Sequence, residues 1–192
     1  DLHKAIRRQR QMCIRDRVNQ VKIPDWVFKG YGLPVESRNF SYVDMLNKEG
    51  LLVDHWRKGG SVPDISRQET QLWFYYLACS YINVGCEAFH LGQIELIGMN
   101  DPERDSWARV IAKIREYART HARRHWVLLD AHTPYGGMVR NGVSLLDFNS
   151  FPLRIKEIPS EPYKAELAVN HLDALYKTVS YTHLTLPTNS LV

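Results

Sequence analysis

Apolar and polar positions alternate along this chain in two rhythms, and the switch between them is clearest from Gly85 to His132. Cys86-Glu87-Ala88-Phe89-His90-Leu91 is a short apolar run opened by Gly85, which predicts a strand. Asp101-Pro102 then supplies an N-cap residue followed by proline at the first helical position. Trp107, Val110, Ile111, Ile114, Tyr117, Ala118 and Ala122 fall at helical spacing, so the pattern predicts an amphipathic helix over 103–123. Its other face carries Arg109, Lys113, Arg115, Glu116 and Arg119, and its end is basic, as the helix dipole favours. Trp126-Val127-Leu128-Leu129-Asp130 reads as the next strand, with a loop from Ala131 to Gly137 after it. Two apolar strands joined by such a helix argue for parallel pairing with both sheet faces covered. In folds of that kind ligands gather at the C-terminal ends of the strands.

The flanking segments are less regular. Val18–Lys22 reads as the end of a strand, and Ile23–Phe28 as a turn into a short helix that Gly30 and Gly32 stop. Phe40–Leu46 and Leu51–Trp56 flank Asn47-Lys48-Glu49-Gly50 as a hairpin candidate. Ser66-Arg67-Gln68-Glu69 has the form of a capping box and predicts a long helix to about Asn83, closed by Gly85. Asn141-Gly142 carries a hairpin signal, and Leu145–Asn149 reads as a strand with a polar end. Leu153–Ile158 is extended in pattern, Pro152, Pro159 and Pro162 exclude a helix through 150–163, and 164–178 can begin one.

Charge changes this picture once the ends are considered. Gln11–Arg17 and Val179–Asn189 closely resemble translated sequencing-adapter sequence, a recurrent contaminant of assembled environmental reads, which makes 1–17 and 179–192 adapter-like or chimeric. The expected native unit is then 18–178, a fragment of one domain. The whole chain has 25 Lys/Arg and 21 Asp/Glu. Residues 1–17 hold six of the basic and two of the acidic ones and 179–192 none, which leaves 19 of each over 18–178. A nucleic-acid or anionic-membrane partner inferred from overall basicity therefore loses its support. No apolar run approaches the roughly 18 residues of a membrane span. Within 18–178 only Cys79 and Cys86 remain, both in apolar surroundings, so reduced buried thiols are expected and a Cys-based zinc site is not.

The residues with chemistry to offer follow the predicted strands. Glu95, Asp130 and Asp147, together with His90, Gln93, His132 and Asn149, end or follow successive candidate strands. If those strands lie parallel and adjacent, their side chains share one rim. Carboxylates from different strands suit glycoside hydrolysis, in which one protonates the leaving oxygen and the other attacks carbon or activates water. Glu95 is the first choice for acid or base, Asp130 for its partner and Asp147 the reserve; His90, Gln93, His132 and Asn149 would bind sugar hydroxyls. Trp26 and Trp56 offer flat faces to sugar rings, with burial in a loop core as the simpler alternative. Solvated loop carboxylates or helix caps are the corresponding alternative for the acids. For Glu87, near the strand's start, an ion pair is preferred. His90, Asp130 and His132 also suggest metal ligands, against which stands a packed histidine. No Gly-x-Ser-x-Gly elbow, P-loop or dinucleotide fingerprint is present, and no cofactor is expected.

Over roughly 18–160, on Gly85–Leu96 and His125–His132, the chain resembles part of a glycoside-hydrolase-like (β/α)8 protein. That resemblance implies an α/β fold, a partial (β/α)8 barrel with parallel strands and flanking helices. It also implies a carbohydrate substrate, with the fragment itself inactive for want of the remaining rim. The alternatives are a metal-dependent barrel hydrolase of the amidohydrolase type and a non-catalytic carbohydrate-binding barrel. The Asn-Glu pair usual at a strand end in retaining members of that superfamily is absent here.

Overall fold

The computed structural model describes residues 15–133, 137–150, 154–158, 160–161 and 163–168. Its elements are α1 (Arg15–Val18), α2 (Asp25–Tyr31), a 3-10 turn (Val43–Met45), α3 (Gln68–Asn83), β1 (Ala88–His90), α4 (Ile94–Ile97), α5 (Asp105–His121) and β2 (Leu128–His132). The short strands β3 (Val139–Arg140), β4 (Val143–Ser144), β5 (Phe148–Ser150), β6 (Arg154–Glu157) and β7 (Ala165–Ala168) follow.

Two long helices form the centre. α3 and α5 pack along one another, and Trp107, Val110, Ile111, Ile114 and Ala118 of α5 are buried at the spacing that the apolar pattern requires. Leu72, Trp73, Tyr75, Ala78, Cys79 and Ile82 of α3 face the same core. Around α3 buried and half-buried rings cluster: Phe40 meets Trp73 edge-on at 4.8 Å, and Trp26 lies 6.0 Å from both Tyr75 and Tyr76 and 5.9 Å from Tyr117.

At the helix starts the carboxylates that the sequence singles out are engaged, but not in the geometry it suggests. Ser66 caps nothing at the head of α3, whose N-cap is Arg67. Glu69 instead receives both Nη atoms of Arg38, at 2.8 and 3.0 Å, and the Ser41 amide at 2.8 Å. This fork stitches the 38–41 segment to α3, and the carboxylate's hydrogen bonds hold the Arg38 guanidinium protonated even more firmly than usual. Asp101 is not the residue next to α5, which begins at Asp105 after Arg104 in a left-handed conformation. Its buried carboxylate nevertheless accepts from the amides of Ser106 and Trp107, both at 3.0 Å, and so satisfies two of the open donors of the first turn.

β1, β2 and β5 form one parallel sheet in the order β1-β2-β5, with His90 opposite Asp130 and Asp130 opposite Phe148. The partial (β/α)8 barrel expected from the sequence is not what the chain forms; the fold is mixed α/β. Among the described residues only the β1-to-β2 connection contains a long helix, whereas β2 reaches β5 through the antiparallel β3–β4 hairpin. β5 is followed by β6 and β7, an antiparallel pair separate from the sheet. A barrel needs the strand-helix alternation to continue, and among the described residues it is completed once. The Asn141-Gly142 turn of β3–β4 has both central residues at positive φ, 51° and 75°, as a type I′ turn demands.

Other local expectations fall away as well. The 40–56 region holds the 3-10 turn and irregular turns instead of a hairpin, and 15–18 is helical. Residues 165–168 are extended and not the start of a helix; 169–178 lie outside the described residues. Cys79 is buried, but Cys86 is exposed, because the strand starts at Ala88 and leaves Gly85-Cys86 in a turn.

Candidate active site on the open face of the parallel sheet

Strand alternation sorts the sheet residues onto two faces. Leu129 and Ala131, both fully buried, lie on the face that joins the helical core, with Phe89 beside them in register. His90, Asp130, His132 and Phe148 lie on the other face, which no long helix covers among the described residues. This is why the polar residues avoid the core: every second position of Leu128–His132 faces away from it.

The centre of that face is a histidine–aspartate pair. His90 Nδ1 stands 2.6 Å from Asp130 Oδ1, in a pair about one third exposed. An ionised carboxylate can only accept, so the hydrogen sits on Nδ1 and leaves Nε2 as the nitrogen that can take a proton. The His132 ring meets the His90 ring edge-on, with centroids 4.5 Å apart. Backbone bonds fix this edge: Leu91 N donates to Asp130 O at 2.8 Å and His132 N to Gly92 O at 2.9 Å. Gly92, at φ 77°, turns the chain over the strand end and leads through Gln93 into α4, which abuts β2.

The remaining acids are engaged elsewhere. Glu95, on α4, is ion-paired at 3.0 Å with Arg104, the left-handed residue ahead of α5. Asp147 precedes β5 and holds Arg115 Nη2 through both oxygens at 3.1 Å, while its Oδ2 accepts from Leu129 N at 2.8 Å. That carboxylate braces β2 from the side. Glu87 accepts from Arg124 N at 2.7 Å and pairs with Arg123 and Arg124 at the opposite end of the strands. Gln93 is half-buried at the head of α4. Asn149 pairs in register with Ala131, and its side chain lies outside the described residues.

The two tryptophans part company. Trp26 is packed into the tyrosine cluster, which serves the core. Trp56 is 42% exposed, with only His55 edge-on at 5.6 Å among the ring contacts of the described residues. The exposed ring on the sheet face itself is Phe148, 59% exposed and in register with Asp130. The sequence does not single it out, because a period-2 count through Leu145–Asn149 places Phe148 with the buried Leu146, opposite Asp147 and Asn149.

Among the described residues no group of three or more His, Cys, Asp or Glu side chains is set to hold a metal ion, and no helix is long and apolar enough to cross a membrane. Compared with protein-family models, with curated proteins and with solved structures, the chain matches none.

Proposed function

We propose that the open face of the β1-β2-β5 sheet is the site of a carbohydrate hydrolase in which His90 and Asp130 act as one acid–base unit. The observation that carries this reading is the 2.6 Å contact between His90 Nδ1 and Asp130 Oδ1 at the C-terminal ends of adjacent parallel strands. Asp130 orients the imidazole and offsets its charge when Nε2 takes a proton from the attacking water. Phe148 supports a sugar as the substrate, because an exposed ring beside a carboxylate matches the apolar face and polar rim of a pyranose. His132 adds a donor or acceptor for a hydroxyl. Glu95, which α4 carries to the same end of the sheet, is the acid to test as proton donor to the leaving oxygen, a role for which its ion pair with Arg104 has to open.

This reading requires turnover by the chain itself, in place of the inactive fragment that the barrel resemblance implied, and a panel of aryl glycosides offered to the chain and its variants tests it. Asp130→Asn and His90→Gln are each expected to lower kcat/KM by about 10²–10⁴-fold, the usual contribution of a positioned acid or base. Glu95→Gln is expected to slow substrates with poor leaving groups more than activated ones. Undiminished rates in both Asp130→Asn and His90→Gln would remove the assignment. Sugar binding that depends on Phe148 without any turnover would replace it with a non-catalytic carbohydrate site.

A further inference from the structure

At the other end of the sheet the chain builds a second surface, unrelated to the His90–Asp130 pair. α5 ends at His121, and the segment from Ala122 to Val127 then folds back over its last turn before β2 begins. His125 makes the turn: it adopts a left-handed conformation at φ 63°, and its Nδ1 donates to the Arg119 carbonyl at 2.9 Å. The turn gathers the exposed residues Arg119, Arg123, Arg124 and Trp126. Glu87 is the acid of this end, with its side chain 11% exposed and Arg124 N on one of its oxygens. Its ion pairs with Arg123 and Arg124, at 3.8 and 3.4 Å, leave guanidinium hydrogens facing water, as the two arginines are 76% and 58% exposed.

The helix dipole explains Arg119 and His121, which lie in the last turn. It does not reach the two arginines beyond the helix, which share the single carboxylate of Glu87, or Trp126, a large ring left 47% exposed next to the strand. We infer that Arg123, Arg124 and Trp126 form a docking surface for an acidic polysaccharide. Guanidinium forks fit carboxylate or sulfate oxygens, and an indole face fits the C–H face of a sugar ring. Nucleic acid fits less well. It requires a broad basic field, whereas this patch spans only a few residues and includes the acid Glu87.

Affinity electrophoresis of the full chain through gels containing polygalacturonate, dextran sulfate or neutral dextran tests this, with single-stranded DNA binding followed by anisotropy alongside. Retardation is expected in one or both acidic gels and not in neutral dextran. Retardation by polygalacturonate alone identifies uronates, and by dextran sulfate alone sulfate esters. The Arg123→Ala/Arg124→Ala variant should bind about tenfold or more weakly, the scale of a lost charge-assisted contact. Trp126→Ala should weaken binding with the guanidiniums intact, and Lys58→Ala should change nothing. Circular dichroism that matches the parent chain confirms that the variants are folded. Equal retardation of parent and double variant overturns the inference. So does DNA binding tighter than polysaccharide binding that the same two substitutions abolish. Loss of glycoside turnover in Asp130→Asn with unchanged retardation separates this surface from the catalytic reading.

Discussion

At the residue scale, Gly30 shows how one contact fixes an identity. It lies inside α2, where alanine would ordinarily be preferred by about 1 kcal/mol. A Cβ there would collide with Tyr75 Oη and stand 2.9 Å from two ring carbons of the same side chain. Tyr75 cannot swing clear, because Trp26, Tyr31 and Tyr117 pack around its ring. Overpacking of this kind costs about 1–3 kcal/mol and outweighs the gain in helix propensity. Gly30→Ala is therefore expected to lower the urea midpoint, and Tyr75→Phe, which deletes the nearest atom, to recover part of the loss in the double variant. A midpoint unchanged by Gly30→Ala would show that α2 and α3 have room to part. In the sequence Gly30 reads as a helix stop, since a close approach from a residue 45 positions away leaves no local trace. Asp64 escapes sequence reading for the same reason. It is buried, takes Nδ2 of Asn47 at 3.1 Å and of Asn100 at 2.9 Å, and ties two loops to the head of α3.

At the scale of elements, helices were legible where a stripe of apolar residues could be counted, and their ends were not. The stripe places α5 within two residues at each end, because burial of Trp107, Val110, Ile111 and Ile114 depends on periodicity alone. Capping depends on which donor a carboxylate reaches, and that is decided by loop shape. Ser66 and Glu69 have capping-box spacing, yet Arg38 takes Glu69 away. Asp101 caps α5 from four residues ahead of its first residue. Asp101→Ala would leave the amides of Ser106 and Trp107 without that acceptor, next to a fully buried indole. A loss of about 1–2 kcal/mol is expected from chemical denaturation, as for a strong cap. Asp101→Asn should retain part of it. If alanine and asparagine proved equally harmless, the two 3.0 Å bonds would contribute nothing to α5.

At the scale of the molecule, the sequence disclosed a parallel strand-helix-strand unit but not how often it recurs. The same local pattern serves barrels and open sheets alike, and the choice lies in segments such as β3–β4 whose signals are weak. What the whole fold does impose is a shared burial of acids where α2, α3 and α5 meet. Burial pushes the Cys79 thiol up from its ordinary 9.0 to about 12, an effect that a hydrogen bond with Tyr75 partly offsets. Burial likewise raises the hydroxyls of Tyr75 and Tyr31 above the usual tyrosine range; Tyr31 Oη has no hydrogen-bond partner among the described residues. Each group keeps its proton in the folded chain at pH values where the unfolded chain has lost it. The folded state thus binds more protons, and stability must fall as pH rises. Above neutral pH the urea midpoint is expected to decline as unfolded-state thiol and then phenol ionise, with the thiol's share of the loss complete by about pH 12. Cys79→Ala should be less stable at neutral pH through lost packing, yet its decline should begin nearer pH 10, where tyrosine alone responds. Parallel curves for the parent chain and Cys79→Ala from pH 9 to 10 would mean that the thiol is not buried between these helices, and the packing of α3 described above would have to be redrawn.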